Sequence, residues 1–287
     1  MGDETKPMDC HASQSRLPCR RMIVRVLGCS GGEARGRRAT SVLLGDRLLL
    51  DAGSAASTLD SDEQARIEWV LLTHAHLDHV KELPFLCDSR MIAGGPPLHL
   101  LATAGTLAAV REHLLNGRLY PDWTRVPESA PALTTEIVEP GRPFHLDGLE
   151  IVAVPLEHPG GCVAYVVDGG GGALVWAGDT GPAPGLRAAV AARGARVRAL
   201  ALEVSMPDRM TEVARASGHL TPALLRAEIE AIGGMQAEIW LHHLKPSLRG
   251  EIVREIASLD LPRMRILEDG DRIELDLDTD LAIAPGP

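Results

Sequence analysis

Four side chains that commonly bind metal ions fall within six consecutive residues. The stretch Thr-His-Ala-His-Leu-Asp-His places His74, His76, Asp78 and His79 directly after the apolar run Trp69–Leu72. Imidazole and carboxylate groups are ligands of borderline divalent cations such as Zn²⁺. At the carboxyl end of a predicted strand, the first two histidines can face one ion and the last two residues a second. A histidine-rich surface loop is the alternative, which this spacing disfavours.

One segment cannot complete two sites of four or more ligands each. Three further candidates, His158, Asp179 and His243, each follow an apolar run that reads as a strand. A carboxylate such as Asp179 can bridge two cations about 3.5–4 Å apart, as two-metal hydrolysis requires. His242 competes with His243 for the last position. The sequence therefore predicts two divalent metal ions per chain, with zinc as first choice and manganese or iron as alternatives.

The elements that must position these residues form two similar series of strands and helices. The first series starts with a strand at Ile23–Leu27 and a hairpin whose turn is Gly45-Asp46. The second contains strands at Leu149–Leu156 and Cys162–Val167. Its helices are predicted at 184–193 and at 222–232, the latter with Thr221 as N-cap, Pro222 in the first turn and Gly233 near the C-cap. This order predicts an α/β fold of two packed mixed sheets with helices outside.

No linker is apparent after residue 22, so 22–287 is predicted to be one domain. Residues 1–21 lack the apolar stretch of a signal peptide and are interpreted as a mobile N-terminal extension. Five cysteines without a C-x-x-C spacing fit reduced thiols better than a disulfide framework. These features predict a cytoplasmic protein without a membrane partner.

The charge balance bears on the class of partner. The formal net charge is −10, from 29 Lys and Arg against 39 Asp and Glu. Dedicated nucleic-acid binders usually carry a basic surplus, so no nucleic-acid partner is expected. A phosphate substrate is still compatible with this charge, because bound cations reverse the local field.

The metal-binding residues resemble the motifs of a known superfamily. His-x-His-x-Asp-His, the strand-end His158, Gly178-Asp-Thr180 and the late His243 resemble the ligand motifs of the metallo-β-lactamase superfamily, across residues 23–246. The resemblance implies the αβ/βα four-layer sandwich of that superfamily and a structural role for Asp51. It also implies the ligand sets: His74, His76 and His158 for one metal, Asp78, His79 and His243 for the other, with Asp179 bridging. His243 is preferred to His242 because His-Leu-Lys-Pro resembles a family His-Ile-Lys-Pro.

Two further segments resemble a narrower family. Leu202-Glu-Val-Ser205 and Gly218-His-Leu-Thr-Pro222 resemble segments of the class II 3′,5′-cyclic-nucleotide phosphodiesterases. That resemblance implies hydrolysis of cAMP, cGMP or both to 5′-monophosphates. The chain departs from the family pattern at Lys81-Glu-Leu83, where a Gly-Leu pair is usual, and Cys87-Asp-Ser89 is a partial match.

The chemistry of such a reaction assigns roles to particular residues. A hydroxide activated by the metals attacks phosphorus, with Asp78 counted among the catalytic residues. His219 serves as general acid for the departing 3′ oxygen, and Glu203 orients its imidazole and raises its pKa. The alternatives are a helix-capping or exposed histidine for His219 and an ordinary strand-end acid for Glu203.

Other functions compete with this hypothesis. The tRNA 3′-processing nucleases share the ligands and a His-x-Thr motif like that at His219, but they normally carry an RNA-binding arm between the strand-end histidine and the bridging aspartate. Here Asp179 follows His158 by only 21 positions. A lactam or thioester hydrolase rests on the fold alone, and a metal-free binding module would leave seven buried polar groups unpaired. A small-molecule cyclic nucleotide is the expected partner, and the choice between monomer and homodimer is left open.

Overall fold

Two seven-stranded sheets form the centre of the computed structural model, which describes residues 21–233 and 235–277. The strands are β1 (Arg21–Gly28), β2 (Ser41–Leu44), β3 (Leu48–Leu50), β4 (Trp69–Leu71), β5 (Leu98–Ala102), β6 (Leu133–Ile137), β7 (Phe144–Leu146), β8 (Leu149–Leu156), β9 (Cys162–Asp168), β10 (Ala173–Ala177), β11 (Val197–Glu203), β12 (Glu238–His242), β13 (Met264–Ile266) and β14 (Arg272–Asp276). The helices are α1 (Ala55–Thr58), α2 (Ser61–Arg66), α3 (Leu77–Val80), α4 (Leu83–Ile92), α5 (Ala104–His113), α6 (Pro184–Arg193), α7 (Thr211–Ser217), α8 (Pro222–Ile232) and α9 (Arg249–Ala257).

The two sheets have the same pattern of strand directions. The first has the order β14-β1-β2-β3-β4-β5-β6 and the second β13-β12-β11-β10-β9-β8-β7. In the first, the pairs from β14 to β3 are antiparallel and those from β3 to β6 are parallel. In the second, the pairs from β7 to β10 are antiparallel and those from β10 to β13 are parallel. Both sheets are therefore mixed, as predicted.

Three apolar layers hold the sheets and helices together. Between the sheets, Leu71 of the first packs in one cluster with Tyr165, Trp176 and Trp240 of the second. Side chains on the outer face of the first sheet pack with α4 and α5, and those on the outer face of the second with α6, α8 and α9. Because both faces of each sheet are covered, β9 is buried along its whole length. These layers confirm the predicted αβ/βα four-layer sandwich.

Local signals in the sequence explain several boundaries. The Gly45-Asp46 turn joins antiparallel β2 and β3, and Gly45 has the positive φ of 65° that such a turn favours in glycine. The side chain of Thr221 accepts a hydrogen bond from Leu224 N and caps α8, which begins at Pro222. The predicted cap is therefore confirmed.

The chain ends bear on two predictions. β1 begins at Arg21, one residue inside the predicted extension 1–21, and residues 1–20 lie outside the described part of the chain. Cys29, Cys87 and Cys162 are buried free thiols, whereas Cys10 and Cys19 lie outside the described residues. Among the helices described, none has the length and apolar character needed to cross a bilayer.

Candidate metal centre

The candidate centre lies where strands of both sheets end. The His74–His79 segment leaves the end of β4, and His158 follows β8. Strands β10, β11 and β12 run parallel, so their carboxyl ends lie at one edge of the second sheet. Asp179, Glu203 and His243 are at or just beyond those ends. The topology thus gathers residues that are up to 169 positions apart in sequence.

One group of candidate ligands comprises three histidines and one aspartate. His74, His76, His158 and Asp179 each offer a ligand atom, and these atoms all lie within 4.8 Å of one another. His74 Nε2 is 3.6 Å from Asp179 Oδ2, and His158 Nε2 is 3.2 Å from His76 Nδ1. His76 is exposed and the other three side chains are buried. A cation here would be reached from solvent on the His76 side.

A second group lies on the other side of Asp179. Asp78, His79 and His243 offer ligand atoms that also lie within 4.8 Å of one another. His79 Nε2 and His243 Nε2 lie 3.4 and 3.2 Å from Asp179 Oδ1, the oxygen that is turned away from the first group. The two carboxylate oxygens of Asp179 therefore face different groups, which is the arrangement of a bridging ligand. All seven predicted ligands are brought together.

The donor atoms fit divalent cations. Although buried, His74 Nε2 and Asp179 Oδ1 have no hydrogen-bond partner among the described residues. Four ligands at 2.0–2.1 Å from a tetrahedral zinc ion lie about 3.3 Å apart. The separations of 3.2–3.6 Å from Asp179 to His74, His79 and His243 are close to that value. Buried polar atoms without a partner are costly, and cations bound here would pair with them.

In each of the four buried histidines among the candidate ligands, the ring nitrogen that faces away from the centre has a hydrogen-bond partner. His74 Nδ1 lies 3.0 Å from Thr73 Oγ1, and His79 Nδ1 lies 2.8 Å from Asp51 Oδ2. His158 Nδ1 lies 2.9 Å from Gly218 O, and His243 Nδ1 lies 2.9 Å from Ser205 Oγ. Such outer contacts orient the imidazole rings and present Nε2 to the centre. Asp51 has the structural position that the family resemblance implies.

Glu203, Ser205 and His219 form a hydrogen-bonded group beside the second set of ligands. Glu203 Oε1 accepts from His219 Nδ1 at 2.7 Å, and Ser205 Oγ donates to Glu203 Oε2 at 2.8 Å. Since Ser205 Oγ also contacts His243 Nδ1, the Glu203 carboxylate is connected to a candidate ligand as well as to His219. From the sequence Ser205 is only the end of the Leu202–Ser205 segment and has no assigned role, because a serine two positions after a strand-end acid is not distinctive.

Charges in the centre shift the pKa values of its members. Burial lowers the pKa of His219, but the hydrogen bond and charge of Glu203 outweigh it, so the pKa of His219 is raised. Burial likewise opposes protonation of His79, yet the charges of Asp51 and Asp179 raise its pKa well above the usual value. For Asp179, burial is outweighed by the charges of His243 and His79, and its pKa is well below the usual range. The pKa of His219 favours the protonated form that a general acid needs.

Backbone conformation at the centre is unusual in two places. Asp51 and His243 have φ values of 56° and 62°, a region that non-glycine residues rarely occupy. Gly31 packs against His243, and a Cβ at Gly31 would lie 2.6 Å from the His243 carbonyl oxygen. The glycine-rich segment 28–32 therefore allows a loop to approach the centre closely.

The other histidines of the described residues lie away from the candidate centre. His242 is buried against Trp176, with ring centroids 4.5 Å apart, and its Nε2 is 3.0 Å from Ala177 O. Burial lowers its pKa to about 3. His243, not His242, thus belongs to the candidate ligand group. His99, His113 and His145, to which no role was assigned, are exposed.

The chain matches one family model and is similar to several known proteins. Residues 46–243 match the family model described as the beta-lactamase superfamily domain. A ribonuclease Z of Mycobacterium sp. (strain KMS) is 28% identical over 244 residues, covering 78% of this chain and 80% of that protein. A ribonuclease Z of Halalkalibacterium halodurans is 31% identical over 127 residues, which cover 43% of this chain and 39% of that protein.

Solved structures share the fold at low sequence identity. Unliganded yeast PDE1 matches with a TM-score of 0.74 and 15% identity over 90% of this chain and 99% of that one. The metallo-beta-lactamase fold protein YhfI from Bacillus subtilis matches with a TM-score of 0.70 and 18% identity over 88% of this chain and 99% of that one. At these identities the likeness extends to the fold alone.

Proposed function

This chain belongs to the beta-lactamase superfamily, and we propose that within it the chain is a metal-dependent phosphodiesterase that releases the 3′ oxygen of a nucleoside. The preferred substrates are the 3′,5′-cyclic nucleotides cAMP and cGMP, which would be hydrolysed to 5′-monophosphates. The observation that carries the proposal is the Glu203–His219 pair, whose imidazole centroid lies 5.0 Å from that of His158 and 5.7 Å from that of His243.

The proposed ligand sets are those that the geometry groups around Asp179. His74, His76 and His158 would hold one cation, and Asp78, His79 and His243 the other. When bound, the two cations would supply an activated water and neutralise charge on the phosphoryl oxygens. Zinc suits the nitrogen-rich donor set, and manganese and iron are the alternatives.

His219 would hold the proton that the leaving 3′ oxygen takes up. Its Nδ1 is engaged by Glu203, so Nε2 is the nitrogen that can donate to the leaving 3′ oxygen. Asp179, His219 and His243 also lie within mutual reach, and the acid is therefore close to the phosphate that the ligand groups would bind. A β-lactam or thioester substrate gives no comparable role to the Glu203–His219 pair.

The connection between His158 and Asp179 favours a small substrate. β8 and β9 are joined by residues 157–161, and β9 and β10 by residues 169–172. Every residue of this interval is described, and it holds two paired strands without an inserted arm. The net charge of −10 also favours a small substrate over RNA.

RNA 3′-end processing is the second candidate function, because the curated relatives carry the name ribonuclease Z. These relatives do not support the expectation that nucleic acid is excluded as a partner. Both candidates release a nucleoside 3′ oxygen, so the same roles of His219 and Glu203 apply to each.

A product assay separates these candidates. Purified protein loaded with Zn²⁺ or Mn²⁺ is incubated with cAMP, cGMP, a precursor tRNA and bis(p-nitrophenyl) phosphate. We expect 5′-monophosphates from the cyclic nucleotides, loss of activity on chelation and recovery on readdition of metal. Cleavage of the precursor tRNA alone would favour RNA 3′-end processing over cyclic-nucleotide hydrolysis. If none of the diesters is cleaved, the proposed phosphodiesterase activity is wrong.

A further inference from the structure

A cleft of about 350 Å³ opens beside His158, within the size range of small-ligand pockets. Its lining consists of residues from three segments, 157–159, 181–182 and 215–218. The first segment contains His158, the second follows Asp179 closely, and the third directly precedes His219. The cleft therefore adjoins the candidate centre through His158, and Gly218 places it next to the proposed general acid.

The three segments are held firmly against one another. Gly181 N donates to Glu157 O at 2.9 Å, and His158 Nδ1 lies 2.9 Å from Gly218 O. Gly218 has a φ of +66°, and a Cβ there would lie 2.8 Å from Glu157 O. Only glycine permits this approach, so the backbone around the cleft is preorganised rather than adaptable.

Two exposed side chains of opposite charge line the cleft. Glu157 lies at the start of the β8–β9 connection, and Arg215 lies in the last turn of α7. Within residues 21–233 and 235–277, neither side chain takes part in a hydrogen bond or an ion pair, and the two are not paired with each other. The carboxylate and the guanidinium are thus available to a ligand.

The chemistry of the site indicates which part of a substrate reaches this cleft. His219 would protonate the leaving 3′ oxygen, so the nucleoside that carries this oxygen lies on the His219 side of the phosphate. This orientation rests on the proposed function. The cleft beside Gly218 is the described cavity that adjoins that side.

We propose that the cleft binds, through Glu157 and Arg215, the guanine base of the nucleoside that carries the leaving 3′ oxygen. Guanine has the acceptors O6 and N7 for the guanidinium, and next to them the N1–H and 2-amino donors for the carboxylate. Adenine keeps N7 but has an amino group in place of O6, an unprotonated N1 and no 2-amino group, so the guanidinium loses one of its two acceptors and the carboxylate loses both donors. The structure thereby assigns a preference for cGMP over cAMP, on the order of tenfold in kcat/KM, as expected for one bidentate base contact.

Steady-state kinetics on matched variants test this assignment. Glu157→Ala and Arg215→Ala should each reduce the cGMP to cAMP ratio of kcat/KM toward one, while leaving the rate on bis(p-nitrophenyl) phosphate, which has no base, unchanged. Glu128→Ala and Arg111→Ala, which alter exposed side chains outside the cleft, should leave both quantities at the level of the unmodified protein. A preference for cAMP, or a ratio that neither cleft variant changes, would overturn the proposal.

Binding of nucleosides distinguishes failure of the cleft from failure of the proposed function. Calorimetric titration of the metal-free protein with guanosine and adenosine requires no turnover. Guanosine binding that is weakened by Glu157→Ala supports the cleft even if no diester is hydrolysed. If diesters are hydrolysed but guanosine binds no better than adenosine, the cleft assignment is wrong and the phosphodiesterase stands.

Discussion

His79 Nδ1 lies 2.8 Å from Asp51 Oδ2, and both side chains are fully buried. The same carboxylate accepts hydrogen bonds from the amide and the hydroxyl of Thr73, the residue before His74. Asp51 thus fixes the start of the metal-binding segment and the ring of one of its members. Its φ of 56° is the conformation in which the chain delivers the carboxylate to both contacts.

Asp51→Asn should weaken binding of the cation at the His79 group by about 10- to 100-fold, because an outer partner of a metal-binding histidine sets its orientation and basicity. Competition with a chromogenic chelator measures the affinity. Asp46→Asn, at an exposed turn residue, is the matched control and should bind metal normally. Equal affinities in the two variants would contradict the role assigned to Asp51.

His219→Ala should reduce kcat about 10²- to 10⁴-fold while about two metals per chain are retained, since a general acid contributes on that scale and this nitrogen is not among the proposed ligands. Turnover is measured on the cyclic nucleotide, with metal content by elemental analysis. His113→Ala, at an exposed position on α5, is the control. Loss of one metal would instead make His219 a ligand.

Ser205→Ala should weaken the second cation site by about 10- to 100-fold, because His243 Nδ1 loses the hydroxyl that connects it to Glu203. Ser205 Oγ also lies 3.2 Å from His219 Nδ1, but the 2.7 Å hydrogen bond between His219 and Glu203 is retained in the variant, so kcat at saturating metal should fall less than in His219→Ala. Activity measured as a function of metal concentration separates the change in metal affinity from the change in kcat. Ser258→Ala, an exposed serine, serves as control, and an unaltered metal affinity would exclude the positioning role of Ser205.

Metal binding should also stabilise the fold. Zinc at 100 times its Kd adds about 2.7 kcal/mol to the free energy of unfolding, and thus raises Tm by roughly 5–10 °C for a domain of this size. Asp179→Asn removes the carboxylate that faces both groups, so it should abolish most of this increase. Scanning calorimetry with and without zinc checks both statements. An equal rise in Tm in the variant would mean that Asp179 is not shared by the two ligand groups.

Alkaline stability should depend on the two tyrosines of the chain. Burial raises the pKa of Tyr165 well above its usual value, and burial with the hydrogen bond to Asp88 raises the pKa of Tyr120 to about 12. Unfolded tyrosines titrate near 10, so between about pH 10 and 12 the unfolded state binds fewer protons than the folded one. This contribution to stability is complete below pH 10 and is lost as pH rises through that window. In urea unfolding at several pH values, Tyr120→Phe should lose less stability across the window than the unmodified protein; an identical loss would refute this.

The sequence predicted those parts of the centre that are local in the chain. His74 to His79 form one motif, and His158, Asp179 and His243 each follow an apolar run. Residue type and position at a strand end therefore predicted these residues as ligands. The alternation of strands and helices predicted two packed mixed sheets with helices outside, and the resemblance to the superfamily implied their four-layer arrangement. The pairing of β1 with β14 has no local signal, because it joins segments about 250 residues apart.

Contacts that depend on packing could not be predicted. Ser205, Glu157 and Arg215 are of common residue types, and their positions become informative only when β11, α7 and the β8–β9 connection are assembled. Nor does a sequence indicate that the two oxygens of Asp179 face opposite ways. Helix α4 was not predicted either, since it follows directly on the metal-binding motif.

The position of Asp179 between the two groups also has a consequence for how the protein acquires its metals. The first sheet's segment contributes His74 to His79, whereas the bridging carboxylate and His243 are synthesised much later. A nascent chain that has completed only β1 to β6 has part of each ligand group and no shared aspartate. Loading of the two proposed ions would therefore follow synthesis of β12, and metal content would report on whether the two halves have joined.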